Sequence, residues 1–590
     1  VRHLLLLLSL LLIACGGPGP EPDPDPTPGE ACVTEGITEC FDNVHRTCTE
    51  GEWVINEVCA SPLPQCSVSI GCSECGAGQE YCVGNAVFQC NGDGTDWSQI
   101  EDCGDSSCRW GDCYDLCSLA AETGSYLGCE FLAVPTSNSL LMGFDDDFAV
   151  VVGNPDEERE AQIQIVQGGD VITTSVLPAQ GTRAYTLPYV PELKTNVASV
   201  VVPASAYEIL SSIPVVAYQY NPLNFEAGGG TFSYTNDASL LLPVAALGQT
   251  HLVSAWPSFG IIEGAGWTWS PGFVAVTAPE DDTQVTITAS SYTLGGVAVA
   301  AMDPGNAQTI TLNRGDVLQV FSETGNQSCT AVNGTYGDAI IQDTSFPVCL
   351  NSERGDLTGS WVESNKPVAV FAGHDCTFVP LDRWACDHLE ESMLPLEVWG
   401  TDAVIASPVM PGGNGVAPTL VRIIAQQDGT MLNFTPPVHE PVEAGPFTPV
   451  ELMVSEDVMV SADTPILVMQ FLIGEQALGT FAGDPAMGTV PPTNHWRSSY
   501  DFLVPETYEA DYVNIVARFG ANVYLDGVEI LDWLILEETP YKVHRAAVGR
   551  GPHNVFSDGA SPFGLTAYGY ASYTSYLYPG GLDLTHNPQP

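Results

Sequence analysis

The sequence predicts an all-β protein: tandem β-sandwich-like modules, about four and packed together, preceded by two small disulfide-rich modules. Three observations carry this. Strand-like segments run almost without break from about Ser125 to Leu582, with strict alternation at Thr283 to Thr288 as the clearest case. A proline-led apolar run occurs four times, at Pro214, Pro367, Pro465 and Pro562. Two matching sets of six cysteines precede this region, in segments of roughly 40 residues each.

Taking the chain in order, residues 1–15 read as a lipoprotein signal peptide. Arg2 and His3 precede the apolar run Leu4 to Ile13, which is too short to span a bilayer, and Ala14 leads into Cys15. Small residues before a Cys resemble a bacterial lipobox, in which Cys15 would be acylated and would anchor the chain. With no Asp after Gly16, the resemblance to sorted lipoproteins implies the outer membrane or cell surface of a Gram-negative bacterium. Residues 16–30 form a Pro-, Asp- and Glu-rich tether that extends as a stiff spacer. The first cysteine module covers 31–73 and the second 74–116. Cys40 to Cys48 and Cys82 to Cys90 share one spacing, and Trp53 and Trp97 each sit six residues before the next Cys. Units this small need covalent staples, and six cysteines allow fifteen pairings, so connectivity stays open. The modules match EGF-like units in size but not in cysteine spacing. Cys117 and Cys129 remain as a natural pair around a short helical piece, Ser118 to Glu122.

A first β module occupies 117–232 and a longer β region 233–583, with a tail at 584–590. Polar turn residues precede each proline run, and proline is tolerated as the first residue of a strand, so each proline is expected to mark a strand start. A two-strand segment lies upstream of each run: Phe148 to Val166, Phe273 to Ile287, Leu420 to Phe434 and Tyr512 to Asp526. Asp428-Gly429 and Asp526-Gly527 are hairpin turns by composition. Units just under 100 residues are too long for propeller blades and suit sandwiches; a larger closed β assembly is the alternative. Leu531 to Leu536 is the one brief helical exception.

The charge narrows function. The 590 residues carry 72 acidic against 16 basic side chains, a net charge of −56. Such a surface repels phosphate backbones, so nucleic acid is excluded as a partner. Ca²⁺ is the only ion the acidic runs suggest, but neither Asp145 to Asp147 nor Glu280 to Asp282 has EF-hand spacing, and no cofactor is expected. No nucleophile elbow, P-loop, zincin or dinucleotide pattern occurs. The richest stretch is Ser364 to Gly400, where His374-Asp375-Cys376 is mirrored by Cys386-Asp387-His388. Two His and two Asp would suffice for a metal and a surface metal-dependent hydrolase. In an exported chain, Cys376 and Cys386 instead suggest a loop-closing disulfide with no metal, and Cys329 and Cys349 a second pair. Trp256, Trp267 and Trp269 are candidates for a sugar-stacking face or for core.

Several segments resemble the IgGFc-binding protein N-terminal domain family: Asn236 to Pro243 with Ala246 to Gly248; Ser364 to Gly373 with His374, Cys376, Cys386 to Leu389 and Trp399-Gly400; Gly483 to Met487 with Pro491-Pro492; and Pro562 to Leu565 with Tyr568-Gly569 and Tyr578-Pro579. The resemblance implies an extracellular, non-catalytic binding or adhesion region whose ligand is an unknown extracellular protein or glycan. Relatives can carry a self-cleaving Gly-Asp-Pro-His sequence; here Ala486 follows Gly483-Asp484-Pro485, so no such cleavage is expected.

Overall fold

The computed structural model describes residues 37–585, apart from short interruptions of which the longest are 59–64, 68–70, 74–78, 139–147, 325–337 and 351–353. Cys15, the tether, Asp145 to Asp147, Cys329 and the side chain of Cys349 lie outside the described residues. The chain divides into two compact units, 1–115 and 116–590.

In the first unit, the cysteine repeat becomes a repeated meander. Thr38–Phe41, Val44–Thr49 and Glu52–Val58 form one three-stranded antiparallel sheet; Glu80–Val83, Ala86–Cys90 and Trp97–Asp102 form another. The register shifts at the same place in both, between His45 and Arg46 and between Val87 and Phe88. Cys48 lies opposite Trp53 and Cys90 opposite Trp97, and both cysteines are buried and disulfide-bonded. One staple with both ends described joins Cys103 to Cys113, Cα–Cα 5.2 Å.

The second unit begins with a helix, Leu116–Glu122, and a Cys117–Cys129 disulfide. Everything after it is built on one strand plan, used four times. In the first three copies a long strand carries the module: Tyr207–Tyr220, Trp361–Phe378 and Val458–Leu472. Its first half pairs with the module's opening strand (Gly128–Ala133, Gly248–Leu252 or Gly400–Ile405) and with a hairpin strand (Ala161–Gln167, Thr283–Thr288 or Thr430–Thr435). Its second half pairs with a central strand (Phe148–Gly153, Gly272–Thr277 or Thr419–Ala425) and with a closing strand (Ala238–Leu240, Cys386–Ser392 or Ala486–Thr489). One strand therefore serves two sheets.

The prolines sit where the long strand crosses from one sheet to the other, not at strand starts. Pairing to the hairpin strand ends at Ser211, Ser364 and Ala462, and pairing to the central strand begins at Val216, Ala369 and Ile466. Pro214, Pro367 and Pro465 occupy the intervening corners. A corner residue has no ladder bond to donate, so proline costs nothing there and stiffens the bend. Only in the fourth copy does the proline precede a strand: Gly551–Ser557 and Phe563–Ala571 are separate, with a short turn and Pro562 between them. The two halves still make the same pairings, with Ser499–Val504 and Val523–Leu525, then with Ala510–Arg518 and Thr574–Pro579.

Other local readings follow ordinary turn and burial chemistry. Asp526 and Gly527 both have positive φ, 50° and 76°, as a two-residue hairpin turn requires. Thr283–Thr288 alternates between buried and more exposed positions. Leu531 to Leu536 is not helical: Leu534–Ile535 pairs as a strand with Tyr541–Val548. Leu531, Leu534 and Ile535 are 79%, 60% and 62% exposed, so no buried face supports a helix this short.

The four closing strands pack in a cycle, each against the next and the fourth against the first. The ends of the unit meet as well, where Ser125 bridges Asp583 and the Leu584 amide donates to the Gly124 carbonyl at 2.7 Å. A single cluster of buried apolar side chains extends from Tyr126 to Leu584. Proline turns fix the spacing between neighbours. A Cβ on Gly128 or Gly248 would come within 2.3 Å of Pro243 or Pro395, and one on Gly400 within 2.6 Å of Pro492.

Candidate functional site

The His-Asp-Cys and Cys-Asp-His triplets face each other across the second module's long and closing strands. Cys376 and Cys386 are joined, with Cα–Cα 5.4 Å, just beyond a register shift between His374 and Thr377. Pairing places His374 opposite Leu389 and Thr377 opposite Asp387, so the mirrored triplets are not in register. Neighbouring residues of a strand also point to opposite faces, which separates His374 from Asp375.

All four polar candidates are fully buried. The His374 Nδ1 accepts the Cys376 amide at 3.1 Å, and its ring lies 5.7 Å from Phe259. Burial, reinforced by the nearby His388, pushes its pKa down to about 3. His388 stacks on Phe273 at 5.8 Å, with Nε2 3.2 Å from the Asn221 amide nitrogen and 3.5 Å from Glu390 Oε2. Asp375 accepts from Ser137 Oγ at 3.2 Å and Asn196 Nδ2 at 2.9 Å, and burial raises its pKa. Asp387 Oδ1 accepts the backbone amides of Asn236 and His388. The four residues thus have separate partners. Among the described residues no group of three or more His, Cys, Asp or Glu side chains is placed to hold a metal ion.

What surrounds them is a larger polar core where the closing strands converge. Glu390 accepts from Gln219 Nε2 at 2.6 Å and from Thr136 Oγ1. Asp237 takes the amides of Ala238, Glu390 and Met487 at 2.8, 3.0 and 2.9 Å. Glu391 takes those of Ser392 and Thr489 at 2.8 and 3.0 Å. The acceptors and donors come from three different modules, so these bonds tie module to module. Asp237, Asp387, Glu391 and Asp484 all have pKa values raised well above the ordinary range, with burial as the first cause. Sequence reasoning missed Asp237, Glu391 and Asp484 as members of this core. A signal was available for one: Asp387 and Asp484 are 97 residues apart, the same interval that separates Pro395 from Pro492.

The other candidates are placed as follows. Trp256 is core, 2% exposed, packed 5.0 Å from Phe471 with the Arg422 guanidinium 4.5 Å over its ring. Trp269 is half-buried and the Trp267 side chain is outside the described residues. In the run Glu280 to Asp282, Asp281 Oδ1 caps the Arg314 amide at 3.0 Å and Lys366 Nζ lies 3.4 Å from Glu280. Among the described residues no helix is long and apolar enough to cross a membrane.

Fold and site together define a multi-module all-β protein whose most reactive-looking side chains serve as internal fastenings. A family model described as IgGFc binding protein matches residues 237–569, and the chain belongs to that family. It is also similar to the human IgGFc-binding protein, 23% identical over 320 residues, which is 51% of this chain but only 6% of that protein. Among solved structures, an anti-sigma factor domain-containing protein from Clostridium clariflavum aligns with 75% of this chain and all of its own, at 9% identity and a TM-score of 0.11, too low to indicate a shared fold.

Proposed function

We propose that this chain is a surface-displayed, non-catalytic recognition or adhesion protein, lipid-anchored at Cys15 to the outer membrane and holding its β unit away from the bilayer on the tether and cysteine modules. One observation carries the non-catalytic part. His374, Asp375, Asp387 and His388 are fully buried, so no substrate reaches the residues best suited to chemistry. Family membership supports binding as the role. The human relative's name refers to the Fc of IgG, but the stretch in common is a small part of that protein, and the ligand here is left as an extracellular protein or glycan. Capture of envelope and extracellular components on the immobilised full chain tests the reading: retention without chemical change of the ligand supports it, and turnover overturns it. Cys15→Ser should move the chain from the membrane fraction to the soluble fraction.

A second reading, glycan binding, draws on a pocket of ≈ 400 Å³ between the first and fourth modules. Asn154, Gln180, Asp501, Phe502, His553 and Asn554 are among its lining residues. Planar amides and carboxylates beside an aromatic surface suit sugar hydroxyls and C–H faces. Here His553 stacks 5.3 Å from Phe502, and Asn554 Nδ2 donates to Asp501 at 2.7 Å. Binding on a glycan array that disappears in Gln180→Ala favours this reading over protein recognition.

A further inference from the structure

The buried carboxylates of the second unit are not all treated alike. Asp237 and Glu391 each receive a backbone N–H on both oxygens. Asp387 receives two amides on Oδ1 and nothing on Oδ2. Asp484 receives nothing on either oxygen, although its own amide donates to Ser575 Oγ at 2.8 Å and locks the backbone. Both side chains are fully buried. Asp387 and Asp484 occupy equivalent positions ahead of the closing strands Cys386–Ser392 and Ala486–Thr489, and these two strands pack together. Each charge is felt locally: Asp484 is the nearest acid acting on Asp387, and Glu475 acts on Asp484. Glu475 Oε2 is itself buried without a hydrogen-bond partner.

Leaving a buried polar atom without a partner costs on the order of 1–3 kcal/mol, and more for a charged group. Three such oxygens on two adjacent acids are therefore an unusual concentration in a core that supplies amides to its other acids. A proton shared between the pair does not resolve it in this geometry, because the two carboxyls make no hydrogen bond with each other. No Lys or Arg acts on either acid.

We propose that Asp387 and Asp484 form a structural Ca²⁺ site that clamps the second module to the third. The donors are hard oxygens, with Asp387 Oδ2 as a monodentate ligand and both Asp484 oxygens free for bidentate binding. Ca²⁺ accepts such mixed carboxylate sets and completes its shell with neutral oxygens at about 2.3–2.6 Å. Mg²⁺ retains several waters, which a fully buried site does not admit. Only two carboxylates need converge, so the site lies outside the usual three-residue metal pattern. The site goes beyond the recognition role and does not depend on it.

The test uses the purified full chain, elemental analysis, and thermal unfolding with EGTA, with Ca²⁺ restored, or with Mg²⁺. The expected result is about one Ca²⁺ per chain, a lowered unfolding temperature in EGTA, and recovery with Ca²⁺ but not Mg²⁺. Asp484→Asn and Asp387→Asn each weaken Ca²⁺ binding at least tenfold and abolish the EGTA effect. The amide variants are neutral and of the same shape, so both are expected to fold; Asp484→Asn should unfold at or above the temperature of the metal-free parent. A chain without calcium whose unfolding ignores EGTA and added Ca²⁺ overturns the proposal. Calcium binding that survives both substitutions places the site elsewhere and overturns it too.

Discussion

Asp511 offers the sharpest test of how burial governs this protein. It lies on the fourth module's central strand Ala510–Arg518, is mostly buried, and accepts the Tyr576 hydroxyl at 2.9 Å. Burial is the first cause of its raised pKa, which moves from 3.8 to about 6 against the opposing pull of Tyr576, Arg550 and His553. A raised acid pKa means that the folded state holds its proton more tightly than the unfolded state. Its favourable contribution is complete below about pH 4 and is lost as pH rises through 6. One pKa unit corresponds to about 1.4 kcal/mol, so the shift amounts to about 3 kcal/mol between those limits. Asp511→Asn keeps the shape and an oxygen for Tyr576 but cannot ionise. In urea unfolding at pH 4 the variant should be within about 1 kcal/mol of the parent; at pH 7.5 it should be more stable, by up to about 3 kcal/mol. An unchanged difference between the two pH values refutes the assignment of the cost to ionisation of Asp511.

Three further outcomes rest on packing and covalent geometry. Replacing Cys376 and Cys386 by Ser opens a loop with a sequence separation of 10, and loop-closure entropy sets the loss at about 3 kcal/mol, readable as a lower urea midpoint and as loss of sensitivity to reductant. Gly248→Ala drives a methyl into Pro395 and should cost about 1–3 kcal/mol by overpacking, whereas Ala at Gly549, which has open space around it, should change the midpoint by well under 1 kcal/mol. Arg422 is buried with partners from two modules, Glu451 at 2.8 Å on one side and Thr358 Oγ1 at 2.8 Å on the other, plus the Ala255 carbonyl. Arg422→Leu should therefore lower stability by about 2–4 kcal/mol, and thermal unfolding monitored by Trp256 fluorescence should report it.

Much of the strand architecture was legible because it is local. Alternation at Thr283–Thr288, the Asp-Gly turns and the two-strand segments depend on side-chain period and turn chemistry within a few residues. The proline signal was visible but its meaning was not. A proline after polar residues reads as a strand start, and only the pairing partners on either side reveal a corner shared by two sheets. Leu531 to Leu536 failed for a related reason: its apolar spacing fits a helix, but nothing packs on it.

The His-Asp-Cys site divides the same way. Its members could be named from the residues alone, and their burial could not. Burial turned a candidate centre for chemistry into a set of internal bonds. It also brought in Asp237, Glu391 and Asp484, whose role depends on closing strands separated by about 100 residues or more.

By itself, the amino-acid order determined that this is an all-β chain with repeated units and a strongly acidic surface, since those properties follow from composition and short-range periodicity. Tertiary structure alone decided that the closing strands meet in a cycle, that the prolines turn corners, and that Asp387 lies against Asp484 with unbonded oxygens. Those facts concern which distant residues become neighbours, and side-chain chemistry specifies neighbours only once the whole unit has packed.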